Sequence, residues 1–250
     1  MKIQNASIKF DNYNKKSSTT CFKAWYREVY KPSMLVDFIE HPVTRAKIPQ
    51  AAMELQHKND TLFFRDGLNF WNKLLDIIAT KYKNVQKVNV FNYACSNGSE
   101  AYTFIMSLLS KFDNNFANKF FPILAKDYDH FAIKMANESS IPISDTEFSD
   151  ITKFTNNQFL RFFGESQYFD EQETGYYSTS DELKSKVLFT QADILKDYKS
   201  INPSNSIVFA RNFWPYIDND GTRIKFFKNL YEHLDKGCYL EEGTGKANIA

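Results

Sequence analysis

Apolar positions fall into a regular pattern from residue 59 onward. In LNFWNKLLDIIATKYK, Phe70, Leu74, Ile77 and Ile78 recur at helical spacing, which predicts an amphipathic helix. KVNVFNYA is a β-branched and aromatic run that stops at the turn-like CSNG. SEAYTFIMSLLSKF follows, with Tyr102, Ile105, Met106 and Leu109 at helical spacing, so this stretch reads as strand, tight turn, helix. A second strand, KFFPILAKD, ends at Asp127 and leads into a helical DHFAIKMANE. KVLFTQAD and NSIVFARN are two further strands, ending at Asp193 and Asn212. Ile224, Phe227, Leu230, Tyr231 and Leu234 then mark a helix that is read as stopping at a C′ glycine, Gly237, before a fifth strand in CYLEEG.

Strands that are apolar almost throughout, alternating with helices, predict a mostly parallel sheet covered on both faces. The expectation is a doubly wound α/β domain over residues 59–250, with its ligand site at the carboxyl ends of the strands. Residues from about 140 to 186 break the rhythm, being rich in Phe, Tyr, Thr, Ser and acidic side chains, and are read as a small inserted subdomain of part helix and part short strands. Residues 1–58 are read as a short, mainly helical N-terminal region, in which YREVYKPSMLVDFIEH and RAKIPQAAMELQHK are helical stretches broken near Pro32 and Pro49.

Charge narrows the function classes. The 31 basic and 30 acidic side chains of the 250 residues leave a formal net charge of +1, which removes any whole-surface attraction to nucleic acid or an anionic membrane. The three cysteines, Cys21, Cys95 and Cys238, are widely spaced without a Cys-x-x-Cys pair, so neither a disulfide framework nor a metal site is expected. MKIQNASIKFDNYNKK lacks the apolar core of a secretory signal, and no window approaches the roughly 18 apolar residues of a membrane span. A cytoplasmic protein with no direct membrane insertion and no nucleic-acid partner is expected.

The strand ends carry the candidate chemistry. A lone Gly98 does not make the Gly-x-Gly-x-x-Gly of a dinucleotide site, and no Gly-Lys-Ser/Thr follows for a P-loop. What remains is a turn of small residues from Ala94 to Gly98, feeding a helix whose first amides could hold a polar ligand. Glu100, in that helix's first turn, reads equally as a ligand group or as a helix-dipole contribution. Asp127 stands where this architecture uses an acid for ribose hydroxyls, although a turn former is the other reading, and Asp129 suits a helix cap. Asp193 suits an adenine edge. Acidic groups at successive strand ends without phosphate-binding glycines point to a nucleoside lacking phosphates, of which S-adenosylmethionine is the obvious example.

Four blocks resemble the CheR-type chemotaxis receptor methyltransferases. NDTLFFRDG resembles that family's Asn-x-Thr-x-Phe-Phe-Arg segment, and ACSNGSEAYT is similar to its cofactor turn. LAKDYD resembles its strand ending in Asp-x-Asp, and IVFARNFWPYID its strand followed by Arg-Asn and Tyr-x-Asp. Order and spacing hold from residue 59 to about 243. The resemblance implies a Class I, Rossmann-like methyltransferase fold that uses S-adenosylmethionine, releases S-adenosylhomocysteine and methylates side-chain glutamates of a protein such as a chemoreceptor. It implies cofactor contacts from Asn59, Thr61, Arg65, Ala94, Glu100, Asp127, Asp193, Ile194, Arg211 and Asn212, with Arg65 and Tyr216 beside the reactive methyl. Read without it, Arg65 is a surface salt-bridge arginine and Tyr216 a packed aromatic.

A glutamate carboxylate, with an ordinary pKa of about 4.3, is ionised at pH 7 and needs no general base. No catalytic histidine is therefore expected, and His41, His57, His130 and His233 read as surface or packing residues. The chain departs from the family in its short N-terminal region, where Arg27, Lys31, Arg45 and Lys47 are the candidate basic residues for a receptor, and in lacking recognisable strands after the fifth. SIKFDNY is a candidate to complete the sheet edge. Three alternatives stay open. One is a small-molecule carboxylate acceptor. Another is an amino acceptor, since RNFWPY, with its single Pro215, faintly resembles the Asn-Pro-Pro-Tyr motif of amino-methylating nucleic-acid enzymes, and the third is a catalytically inactive cofactor-binding module.

Overall fold

The computed structural model describes residues 62–138, 140–169, 175–211, 220–235, 237–241 and 248–249. Helix α1 (Gly67–Lys81) precedes β1 (Asn89–Tyr93) and α2 (Ser99–Lys111), and a four-residue α3 (Asn114–Ala117) leads towards β2 (Ile123–Asp127) and α4 (His130–Asn137). After the intervening segment come β6 (Val187–Gln191), α8 (Ile194–Asp197), β7 (Ser206–Ala210), α9 (Asp220–His233), β8 (Tyr239–Glu241) and β9 (Asn248–Ile249). The sheet order is β6-β2-β1-β7-β8-β9, with every pair parallel except β8 and β9. This is the expected doubly wound, mostly parallel sheet, covered on both faces.

Both faces are buried because alternate side chains of the central strands enter different cores. Val90, Ile207 and Phe209 join α1 and α2 in one, whereas Phe91, Tyr93, Val208 and Ala210 meet α8 and α9 in the other. Full burial of one such side chain is worth about 1.5–3 kcal/mol. The apolar stripe of α1 is turned slightly from the expected one: Trp71, Leu74, Leu75 and Ile78 are buried, while Phe70 and Ile77 lie at the margin. Trp71 wins the central place because it stacks on Phe209 and its indole N–H finds an acceptor.

Two features differ from expectation. Helix α9 ends at His233, and Gly237 is not left-handed; Asp235 closes the turn instead, accepting from the Gly237 amide at 2.6 Å and the Ser204 hydroxyl at 2.5 Å. A carboxylate that binds the turn amides removes the need for a left-handed glycine. The sheet continues past the fifth strand through β9, antiparallel to β8, while SIKFDNY lies outside the described residues, as does all of 1–58. His233 packs as expected: its Nε2 lies 2.7 Å from the Ile201 carbonyl and its ring is edge-on to Tyr198.

Between α4 and β6 the chain builds a separate antiparallel sheet of β3 (Ser140–Ile143), β4 (Phe163–Phe169) and β5 (Gly175–Thr179), in the order β3-β5-β4. Helices α5 (Asp145–Phe154), α6 (Phe159–Phe162) and α7 (Asp181–Lys184) accompany it. Phe148, Phe159, Phe163 and Tyr177 form its aromatic centre, with ring centroids 4.5–5.1 Å apart along the chain of contacts. Helix α5 opens on a capping box, Ser144 with Glu147.

Candidate active site

The strand register sets the level of the site. Tyr93 pairs with Lys126 on one side and with Ala210 on the other, so β1, β2 and β7 reach their carboxyl ends together. The next residues along the three chains are Ala94, Asp127 and Arg211. Asp127 in turn pairs with Gln191, which places Asp193 two residues beyond the end of the β6 ladder.

The turn after β1 is sharp. Ala94 (φ 54°), Ser96 (φ 50°) and Gly98 (φ 91°) are all left-handed, at a cost of about 1–2 kcal/mol for each residue with a Cβ. The Cys95 amide donates to the Lys126 carbonyl (3.1 Å), and the Gly98 amide to the Cys95 carbonyl (2.9 Å). Asn97 Oδ1 accepts from both the amide (3.0 Å) and the hydroxyl (2.7 Å) of Ser99. These bonds hold the turn so that the Ser96 amide donates to Asp127 Oδ2 at 2.9 Å. Gly98 is required twice over, because an added Cβ would stand 2.6 Å from the Phe189 ring. Gly98→Ala should therefore cost about 2–5 kcal/mol, the sum of left-handed strain and overpacking. Urea unfolding tests this, and a loss below about 0.5 kcal/mol would mean that the Phe189 ring swings aside and the turn carries no strain.

Asp127 is half-buried. Its Oδ1 accepts from the Asp129 amide at 2.9 Å, so each carboxylate oxygen has one backbone donor and spare lone pairs. Burial pushes this carboxyl above its ordinary value, against the downward pull of the Asp129, Ser96 and Tyr128 amides. Asp129 caps α4 through the Phe131 amide (2.8 Å). Asp193 caps α8: Oδ1 accepts from the Leu195 amide (3.0 Å) and Oδ2 lies 3.1 Å from Lys196 Nζ. Ile194 packs into the core beneath.

Under the turn, Asp197 fastens α8 to the sheet. It accepts from the Tyr93 hydroxyl (2.5 Å) and Lys126 Nζ (2.7 Å). Burial acts to raise the Asp197 carboxyl, but these bonds outweigh it and hold the group below its ordinary range. Burial and the same bond push the Tyr93 phenol well up.

On the other side of β1, Arg211 is buried, with its side chain 1% exposed. Its Nη2 is bonded to Asp66, and Nη1 lies 2.8 Å from Glu100 Oε2. The guanidinium also lies over the rings of Phe70 and Trp71, 5.1 and 5.9 Å from their centroids. The Nη1 contact is an ion pair without hydrogen-bond alignment, and Nε and Nη1 have no hydrogen-bond acceptor among the described residues. Glu100 Oε1 accepts from Asn92 Nδ2 at 2.7 Å, while the buried Asn92 Oδ1 has no described donor. Asp66 and Asn92 are the two members of this cluster that sequence reasoning missed. Their signals were a carboxylate next to Arg65 and an amide set between two aromatic residues, Phe91 and Tyr93, of β1.

Arg65 lies in the segment that carries Asp66; it is half-buried, and its carbonyl accepts from the Trp71 indole at 2.9 Å. Ala94, Arg65, Glu100, Asp127, Asp193, Ile194 and Arg211 thus all lie at the carboxyl ends of the strands or in the segments crossing them. Asn59, Thr61, Asn212 and Tyr216 lie outside the described residues. Among the described residues no group of three or more His, Cys, Asp and Glu side chains could hold a metal, and no helix is long and apolar enough to cross a membrane.

Residues 59–247 match the family described as CheR methyltransferase, SAM binding domain. The chain is similar to the chemotaxis protein methyltransferase of Borreliella burgdorferi, 25% identical over 187 residues, covering 73% of this chain and 62% of that one. It is also similar to chemotaxis protein methyltransferase 2 of Vibrio cholerae, 22% identical over 202 residues, covering 79% and 65%. It therefore spans less than two thirds of the length of these relatives. Among solved structures, the plantazolicin methyltransferase BamL in complex with a triazolic desmethylPZN analog and SAH aligns over 87% of this chain and 58% of its own. That alignment has 10% identity and a TM-score of 0.39.

The family's S-adenosylmethionine suits the groups present. A half-buried carboxylate with spare lone pairs matches a ribose diol, and an acid–guanidinium pair whose Nε and Nη1 have no hydrogen-bond acceptor among the described residues matches the ammonium and carboxylate of an amino acid.

Proposed function

The chain belongs to the CheR family of S-adenosylmethionine-dependent methyltransferases, and we propose that it esterifies side-chain glutamates of a protein, a chemoreceptor being the partner implied by the names of its relatives. The observation that carries this reading is the division of the strand ends: Asp127 at the end of β2 to one side of β1, and to the other Arg211, one residue beyond β7, paired with Glu100 and Asp66. In it, Asp127 accepts from the ribose hydroxyls, and Asp193 with Ile194 borders the adenine. Glu100 attracts the α-ammonium, while Arg211 and Arg65 face the α-carboxylate; Asn59, Thr61, Ala94 and Asn212 complete the cofactor's surround.

S-adenosylmethionine supplies an electrophilic methyl on a sulfonium centre. The acceptor carboxylate is already ionised at neutral pH, so these residues have to align, desolvate and orient rather than move a proton. Arg65 offers a fork of donors to a carboxylate and Tyr216 one phenolic donor, which suits both to fixing the acceptor oxygen. Such orientation is worth effective molarities of about 10⁵–10⁸ M in well-aligned systems.

Calorimetric titration with S-adenosylhomocysteine should show saturable one-to-one binding. Methyl label passed to a protein acceptor should then be released by mild alkali, as esters are; alkali-stable label would sink the carboxylate assignment. Tyr216→Phe should bind S-adenosylhomocysteine as the parent does but transfer methyl at least about tenfold more slowly, the scale of one lost orienting hydrogen bond. Unchanged turnover in that variant would remove Tyr216 from the mechanism.

A further inference from the structure

The segment that carries Arg65 and Asp66 is conformationally costly. Phe64 (φ 51°) and Asp66 (φ 69°) are both left-handed, and such residues persist only where their surroundings over-determine them. Part of that restraint comes from the strand-end domain: the Phe64 amide donates to Thr103 Oγ1 at 3.2 Å, and Asp66 is held by Arg211. The rest comes from the inserted sheet and its helices. The Phe63 amide donates to Glu147 Oε1 at 2.9 Å, across 84 residues of sequence. Phe63 is edge-on to Phe163 at 5.6 Å, and Phe64 packs on Phe154 at 4.7 Å.

Glu147 divides its two oxygens between two tasks. Oε2 accepts from the Ser144 amide (2.9 Å) and hydroxyl (2.6 Å), closing the capping box of α5. Oε1 is used outside that helix, on Phe63 alone among the described hydrogen bonds. A capping box needs only the first oxygen.

We propose that Glu147 is a positioning residue: from the inserted subdomain it holds residues 63–66 so that Arg65 and Asp66 meet the amino-acid end of the cofactor. This rests on the functional reading above and deepens it, since it makes the subdomain part of the site's support. Loss of the clamp should loosen the amino-acid end and leave the adenosine end, built on Asp127, as it was.

The test compares two ligands and two variants by calorimetry. S-adenosylhomocysteine carries both ends, and 5′-methylthioadenosine carries only the adenosine end and the thioether. Glu147→Ala should weaken S-adenosylhomocysteine about 3- to 10-fold, the range for one lost hydrogen bond, with 5′-methylthioadenosine unchanged. Ser144→Ala removes the cap and costs comparable helix stability but keeps the Phe63 bond, so it should bind both ligands as the parent does. Amide hydrogen exchange across residues 62–67 should quicken in Glu147→Ala and not in Ser144→Ala. Equal loss of both ligands in Glu147→Ala, or the same pattern in Ser144→Ala, would reduce Glu147 to a helix cap and overturn the proposal. A parent protein that binds neither ligand would instead overturn the cofactor reading, and the clamp with it.

Discussion

Replacing Arg211 with methionine should lower the stability of the free protein by about 3–5 kcal/mol, the usual cost of removing one partner from a buried ion pair. The side chain is 1% exposed and its charge is shared between Asp66 and Glu100, whose side chains are 33% and 16% exposed. Methionine would fill the volume beneath Phe70 and Trp71 but leave two carboxylates facing each other without a cation. Glu100 would keep only the Asn92 amide as a described partner. Arg211→Lys should recover little, because an ammonium cannot span two carboxylates and lie flat between rings as a guanidinium does.

The cause is separable by a double-mutant cycle. If the loss comes from stranded carboxylates, Arg211→Met combined with Glu100→Gln should cost less than the sum of the two single changes. Urea unfolding of the four proteins supplies the measurement. A loss below about 1 kcal/mol in Arg211→Met, or strict additivity, would show that the cluster is solvated in solution and does not support β7. The same cluster is expected to govern affinity for the amino-acid end of the cofactor, so Arg211→Met should lose S-adenosylhomocysteine even under conditions where it remains folded.

How much of this cluster could be read from sequence depended on the reach of each interaction. The parallel strands stood out because burial makes SIVFA apolar after its first residue and ILAKD apolar up to Lys126, a signal local to five residues. Asp127 was legible for the same reason, as a charge ending such a run. Asp66 was not, since its partner is 145 residues away and nothing nearby distinguishes it from a turn former. Asn92 interrupts its strand but is explained only by Glu100 on the helix above. Helices α3, α6, α7 and α8 have four residues each, and β9 has two, too few for any period to show. Gly237 misled because glycine after a helix usually means a left-handed cap, and here an aspartate two positions earlier does the closing. Glu100 kept two readings in the sequence, and its position is compatible with both: it lies in the first turn of α2, and its carboxylate is held by Asn92 and paired with Arg211.

Asp127→Ala should weaken S-adenosylhomocysteine and 5′-methylthioadenosine in parallel, each by about 10²-fold or more. Hydrogen bonds to an ionised acceptor are worth about 1.5–3 kcal/mol apiece, and a diol makes two. The parallel loss distinguishes this residue from Glu147, whose removal should affect only the ligand with an amino-acid end. Asn at this position should be little better than Ala. Both oxygens already accept from backbone amides, so an amide nitrogen would set donor against donor at either Ser96 or Asp129. The pH dependence follows from the raised folded-state value of this carboxyl, with burial as its cause. Above that value the folded protein carries a costly buried charge, so this group's contribution to the free protein's stability improves as pH falls through it. Ligand affinity should move the opposite way, because the diol needs the ionised acceptor. The stabilisation that S-adenosylhomocysteine confers should therefore shrink on acidification at a higher pH than an ordinary aspartate would give, while the ligand-free protein gains from the same protonation. Thermal melts with and without ligand from pH 7 down to pH 4 would show the two trends. Ligand stabilisation that survives unchanged to pH 4 would mean that Asp127 does not hold the ribose.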